Sequence, residues 1–406
     1  MKLLLVLEHR FFILPGGDTV YCERNVDYSF LERYLQVFDE VTVCARAQTV
    51  SSDFKGKLLA SGKNVSFLPL PDFRGSAGVI KNYFRCQKII RENVGQFDAV
   101  MLRSPSPISL IALNPVIHSK KPFAAEFVIN PRTMFDKDSN PTRRFVVGLM
   151  QALFVNHAKK LCRTANGVSY VTERVLQEEF PCRAIIDGES EKYFTEHYST
   201  INISKDDYSG IHEPPKEGEP VVICHTGYMD GYSKGHLAVM DVVKNCIHDG
   251  LNVELHFIGS GTIEDKFKQY AVDNGIEDKV IFLGQQFGYK QVQKALMDCD
   301  IFLFPTRSEG LPRSLIEAMA NGLACVSSPI DGIKELLERD YLIDYKDIEG
   351  MTRVVEELVR DKDKRMAVAQ RNFNKSLEYE NSILTERRIK FYKKLRTIAK
   401  SQNRFR

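Results

Sequence analysis

At 406 residues the chain is about twice the usual single-domain length, which predicts two domains with separate cores. A composition 43% hydrophobic and 27% charged excludes a disordered or fibrous protein, and a net charge of +3 is too small to argue for a nucleic-acid partner. Nine cysteines scattered singly, without a C-x-x-C pair, argue against a disulfide framework and a zinc ribbon and imply a reducing cytoplasm.

The opening run Met1 to Leu7 is short for a signal-peptide core, meets Glu8-His9-Arg10 at once and has no small-residue cleavage site, so it is read as a buried first strand. No apolar stretch reaches the roughly 18 residues of a spanning helix, and no membrane crossing is expected. Strand-length apolar runs then alternate with helix-length amphipathic segments, which predicts an α/β fold of two doubly wound parallel sheets. In the first half the strands fall near Lys2–Leu7, Glu40–Ala45, Val65–Leu68, Asp98–Leu102, Phe123–Phe127 and Val168–Val171. After the first of them, Leu14-Pro15-Gly16-Gly17-Asp18-Thr19 is either an ordinary turn or a phosphate-facing loop before a helix. Gly16 and Gly17 would allow close backbone approach. Arg143 to Lys160 is a basic-flanked apolar helix, expected to pack in the core, with a membrane-surface role as the alternative.

Residues 1–186 are expected to form the N-terminal domain, and the polar stretch 187–219, with Pro214-Pro215, the connection. Residues 220–380 read as a complete Rossmann-like unit, with strands Val221–His225, Val253–Ile258, Lys279–Leu283 and Ile301–Phe304 separated by helices. Residues 381–406 are helical and basic, with no acid after Glu386. That segment is a solvated face or a contact for anionic lipid.

The most informative segment runs from Phe304 to Gly322 and reads strand, loop, helix. Pro312 suits the first turn and Gly322 the position past the end, so the helix is expected over about 312–321. Gly310 permits a ligand to approach the backbone, and the free N–H groups and dipole of the helix start suit a diphosphate. Glu309 in the loop and Glu317 one turn inside can each accept two hydroxyl hydrogen bonds, one from a sugar and one from a ribose. Such a crevice at the carboxyl ends of parallel strands is where ligands bind in doubly wound folds.

Here the chain resembles family 4 of the retaining glycosyltransferases, whose hallmark is two Glu separated by seven residues. Glu309-Gly310-Leu311-Pro312 and Glu317-Ala318-Met319-Ala320-Asn321-Gly322 match it in register. The similarity runs from about Cys224 to Leu337. It includes Lys234-Gly235 before a helix, Leu255 to Gly261 with its glycine loop at Gly259, Val280 to Gly284, and Gly332-Ile333-Lys334-Glu335. The resemblance implies the GT-B architecture, two facing Rossmann-like domains with a cleft between them and a last helix crossing back onto the first.

It further implies a nucleoside-diphosphate sugar as donor, with Glu309, Gly310 and Leu311 on the sugar, Glu317 on the ribose and Lys234 on the diphosphate. Pro312, Arg313 and Ser314 at the helix start complete the donor-binding set, and Gly16, Gly17 and Gly259 would face it. The acceptor would be a glycan or a lipid-linked glycan, with peripheral contact at the inner face of the plasma membrane through the basic helices. No cofactor and no obligatory metal are expected.

The family's Arg shortly before Lys-Gly has no match, since Gly227 is followed by Tyr228-Met229-Asp230; Arg313 and Arg307 are the candidates to replace it. No His stands at the N-terminal strand ends, so Glu126 is the candidate acceptor-side catalytic residue, with simple pairing to Arg103 or Arg132 as the alternative. Asp136-Lys137-Asp138 and Asp361-Lys362-Asp363 have the D-x-D shape by chance, and no metal-ligand spacing occurs among the His. The rival readings are a nucleotide-sugar epimerase of GT-B type and a non-catalytic sugar-binding protein.

Overall fold

The computed structural model describes residues 1–23, 26–134, 141–286 and 288–404, apart from the side chains of 141–143 and 404. Asp136-Lys137-Asp138 and Arg406 lie outside the described residues.

The first half runs β1 (Lys2–Ile13), β2 (Val20–Cys22), α1 (Tyr28–Leu35), β3 (Glu40–Thr49), β4 (Leu58–Leu59), β5 (Val65–Leu70), α2 (Gly75–Asn93), β6 (Ala99–Ser104), α3 (Pro107–Ser119), β7 (Phe123–Phe127), α4 (Pro141–Thr164), β8 (Gly167–Tyr170), α5 (Val175–Glu179), α6 (Arg183–Ile186) and β9 (Phe194–His197). Its parallel strands lie in the order β5-β3-β1-β6-β7-β8-β9. The strand order reverses beside β1, as in other doubly wound sheets. The second half runs β10 (Val221–Thr226), α7 (His236–His248), β11 (Val253–Ile258), α8 (Glu264–Asp273), β12 (Val280–Phe282), α9 (Tyr289–Met297), β13 (Ile301–Phe304), α10 (Arg313–Ala320), β14 (Ala324–Ser327), α11 (Ile333–Leu336), α12 (Ile348–Arg360), α13 (Lys362–Ser376) and α14 (Asn381–Arg404). Its parallel sheet has the order β12-β11-β10-β13-β14, reversing between β10 and β13.

Four expectations change. The loop holding Gly16 and Gly17 does not lead into a helix. It is the exposed tip of a hairpin in which Val20–Cys22 returns antiparallel along Phe11–Ile13, and both glycines have positive φ, 96° and 85°. The stretch 187–219 is not a loose connection: β9 extends the first sheet, and Tyr208 and Ser209 bond to Ser376 and Asn321 of the second half. The cores are not separate. Along β13, Phe302 and Phe304 join a core continuous with the N-terminal domain, while Ile301 and Leu303 face a second core, as the two-residue period of a strand requires. Finally, α4 packs in the core only through its second half, where Phe154, Val155, Ala158 and Leu161 are buried; Phe145, Val146 and Leu149 of its first half are exposed.

Helix α14 crosses back onto the N-terminal sheet, with the Phe391 ring edge-on to Phe194. Three of its basic residues pair with that domain, Lys390 with Glu196, Lys394 with Glu189 and Arg396 with Asp39, while Lys393 and Lys400 stay on an exposed face. Asp361 is also accounted for locally, since its carboxylate caps α13 by accepting from the Lys364 N–H. No helix among the described residues is long and apolar enough to cross a membrane.

Two buried histidines tie this packing to pH. Burial, helped by Lys160, lowers His157 to about 4; burial also lowers His236 to about 4, opposed by a backbone hydrogen bond at Gly227 and helped by Lys234. Both are neutral in the fold, whereas the unfolded chain takes up protons near pH 6.5. Stability from these two sites is therefore lost as pH falls from about 6.5 toward 4, by up to roughly 3 kcal/mol each. Thermal melts across that range should show a falling midpoint. His157→Gln, which keeps a polar nitrogen near Ser104 and Ser109, should flatten the slope.

Candidate active site

The site forms where β10 and β13 end at the reversal of the second sheet. Beyond β10, Gly227 to Gly235 folds back on its neighbours: Gly227 N–H donates to the Ile258 carbonyl, and Met229 N–H to that of Ser260. Gly259, at φ 143°, lies so near that an added Cβ would be 2.1 Å from the Gly227 oxygen. Its part in the site is thus to let the ends of β10 and β11 meet. Gly235, at φ 86°, makes the same close approach to the Pro305 carbonyl, and Arg307 N–H donates to the Ser233 carbonyl, joining the loops after β10 and β13.

At that junction Lys234 and Glu309 form an ion pair, with the ammonium 6.0 Å from the Phe304 ring centroid. Pro312 precedes the first residue of α10, Arg313, within one residue of the expected start. The positive end of α10 therefore opens beside the pair. Glu317 sits one turn further in and is partly buried; burial raises its carboxyl pKa, opposed by Arg313. Leu311 and Pro312 are buried, Ser314 is half-buried and Arg313 is exposed. Arg307 stacks over the Tyr345 ring at 4.9 Å, which leaves Arg313 as the arginine at the helix start. Lys234, Glu309, Gly310, Leu311, Pro312, Arg313, Ser314 and Glu317 are thus brought together, and Gly259 supports them from behind. Gly16 and Gly17 are at the exposed hairpin tip, with nothing within 4 Å of an added Cβ. Among the described residues, no group of three His, Cys, Asp or Glu is placed to hold a metal ion.

The two halves meet at this loop. An added Cβ at Gly310 would be 2.4 Å from the Val128 carbonyl oxygen, just past β7. Asn130 and Thr133 donate to Asp331 at 2.8 and 2.7 Å, and Glu335 accepts from the N–H groups of Glu173, Arg174 and Val175 at the start of α5. Sequence reasoning missed Asn130, Thr133 and Asp331. The only local signal is the positive φ of Asp331, 40°, which sequence does not display.

Glu126 is corrected. Its carboxylate is buried under α14, not open to the cleft, and accepts from Tyr34, Tyr198 and Tyr392 hydroxyls at 2.9, 3.2 and 2.7 Å and from Arg103 at 2.7 Å. Burial would raise its pKa, but Arg103 and the tyrosine hydroxyls outweigh that and hold it below the usual range. Its four donors, one of them Tyr392, tie α14 to the N-terminal sheet, and this buried pairing matches the Arg103 alternative. The ends of β6 and β7 carry no His of their own; the buried His157 of α4 reaches Ser104, at the end of β6, and Ser109 at 3.3 and 3.1 Å.

Residues 220–361, which hold this entire cluster, match the family model described as glycosyl transferases group 1. These residues are a group 1 glycosyltransferase domain. The whole chain is 24% identical to Protein CapJ of Staphylococcus aureus over 368 residues, 90% of this chain and 88% of that protein. It is 26% identical to the lipopolysaccharide 1,6-galactosyltransferase of Escherichia coli K12 over 172 residues, 40% of this chain and 46% of that protein. The fold is of the GT-B type: Anabaena HepE, solved with UDP-glucose, superposes with a TM-score of 0.62 at 14% identity, covering 96% of this chain and 98% of that one.

In the glycosyltransferase domain Gly310 is pressed against Val128 of the other half. Gly310→Ala should push the loop off Val128 and misplace Glu309, lowering turnover by roughly tenfold to a hundredfold. Nucleotide binding at the start of α10 should change little, so kinetics and nucleotide titration together check it.

Proposed function

We propose that the chain is a retaining glycosyltransferase of family 4 that moves a sugar from a nucleoside diphosphate to a glycan or lipid-linked glycan in cell-surface polysaccharide synthesis. It would work at the cytoplasmic face of the membrane, held there peripherally. The carrying observation is the Lys234–Glu309 pair at the start of α10 with Glu317 one turn inside it. The glycosyltransferase domain and the printed functions of the galactosyltransferase relatives support the reading.

In this reading the diphosphate takes the α10 N-terminus and draws the Lys234 ammonium from Glu309. Lys234 then stabilises the negative charge of the leaving phosphate. Glu309, freed of its partner, accepts from the donor sugar's hydroxyls with the backbone at Gly310 and Leu311, and Glu317 holds the ribose diol. The acceptor comes from the N-terminal side, and its proton passes to the departing phosphate on the same face, without a covalent carboxylate intermediate. Closure across Gly310 and Asp331 excludes water. NMR of the first-formed product should show the donor's anomeric configuration kept. An inverted product would sink the retaining assignment, and donor turnover without acceptor would favour the epimerase.

A further inference from the structure

A second cavity, of about 840 Å³, opens in the N-terminal domain between α2, α3 and α4. Its floor is polar, with Glu8, paired to Arg46, and His157; Leu110 forms a wall, and Ile80, Phe84 and Leu153 form its lips. The floor lies where β1 parts from β6, at the reversal of the first sheet, which is where such folds place a ligand. The loop joining it to the donor site is short: Val128 touches Gly310 and Met134 lines the cavity.

The lips continue into an apolar surface. Ile80 and Phe84 are 75% and 80% exposed on α2, and Phe145 and Leu149 are 78% and 66% exposed on α4, each pair one helical turn apart. Around them the charge is one-sided. Helix α2 carries Lys81, Arg85, Lys88 and Arg91 against Glu92, and the sequence of α4 includes Arg144, Lys159, Lys160 and Arg163 with no Asp or Glu. A symmetric contact with a second copy would set these cations against each other, whereas an anionic bilayer neutralises them.

We propose that the α2–α4 face docks on an anionic lipid bilayer and that the cavity receives the hydrocarbon chain of a membrane-embedded acceptor. Exposed aromatic and aliphatic side chains enter the interface, the flanking Lys and Arg meet lipid phosphates, and the acceptor's polar end reaches the donor loop past Val128. This rests on the acceptor reading above and specifies where that acceptor sits.

The test uses the full chain and the variant Phe84→Ser/Phe145→Ser/Leu149→Ser, whose changed side chains are exposed, so that folding is preserved. Wild type should sediment with vesicles of phosphatidylglycerol and phosphatidylcholine and far less with phosphatidylcholine alone. The variant should lose at least tenfold in vesicle binding while its thermal shift with nucleoside diphosphates stays as in wild type. Wild type left in the supernatant, or a variant that sediments equally well, overturns the proposal. A wild-type dimer that the variant breaks into monomers also overturns it, by making the face a protein interface. An absent nucleotide shift in both proteins counts against the donor reading alone, and the vesicle result still decides this one.

Discussion

Glu309→Gln should lower sugar transfer by a factor of about 10² to 10³, the usual cost of removing one preorganised group from a reacting centre. The same change should not weaken binding of a nucleoside diphosphate that lacks the sugar. In the free protein Glu309 holds the Lys234 ammonium, and on the proposed reading a diphosphate would compete for it. Without that carboxylate Lys234 is available, so affinity for the bare nucleotide should stay level or rise a few-fold. Lys234→Ala has the opposite signature, losing nucleotide affinity and transfer together. Titration calorimetry beside initial rates separates the two. Equal loss of nucleotide affinity in both variants would mean that the pair acts as a structural strut.

Glu126→Leu should destabilise the fold by about 3–5 kcal/mol, the range for a buried ion pair that loses one partner. The substitution leaves the Arg103 guanidinium and the Tyr34, Tyr198 and Tyr392 hydroxyls without their common acceptor. Because Tyr392 belongs to α14, the helix should loosen from the N-terminal sheet, and limited proteolysis should cut ahead of it. Adding Arg103→Met to Glu126→Leu should recover part of the loss, since the guanidinium bonded to Glu126 is then removed with it, and the buried Arg388 nearby keeps the recovery incomplete. Urea unfolding measures all three proteins. A loss under 1 kcal/mol in the single variant would show that the four hydrogen bonds do not anchor the helix.

Much of the second domain was legible because its signals are local. Ile301–Phe304 is a continuous apolar run of strand length, and Pro312 and Gly322 bracket a helix that forms over Arg313–Ala320. The Glu309 and Glu317 spacing belongs to one loop and one helix turn, so sequence distance sets spatial distance. The first domain was less legible where partners are remote. Glu126 meets Tyr34, Tyr198 and Tyr392, 92, 72 and 266 residues away in the chain, and nothing beside it shows that a terminal helix covers it. Strand β9 was hidden because only Phe194 of Phe194–His197 is buried, which leaves no apolar alternation to read. At Gly16 and Gly17 two glycines fit a phosphate loop and a hairpin tip equally well; the pairing of Val20–Cys22 with β1 selects the hairpin.

On the proposed reading the start of α10, with Lys234 and Glu317, holds a nucleoside diphosphate. Thermal unfolding of wild type, Lys234→Ala and Glu317→Ala against a panel of nucleoside diphosphates tests it most directly. A nucleotide at about one hundred times its Kd adds about 2.7 kcal/mol to a fold that binds it. The wild-type melting point should therefore rise with at least one nucleotide, and both variants should lose most of that rise. A wild type unmoved by every nucleoside diphosphate would mean that this helix start does not hold one.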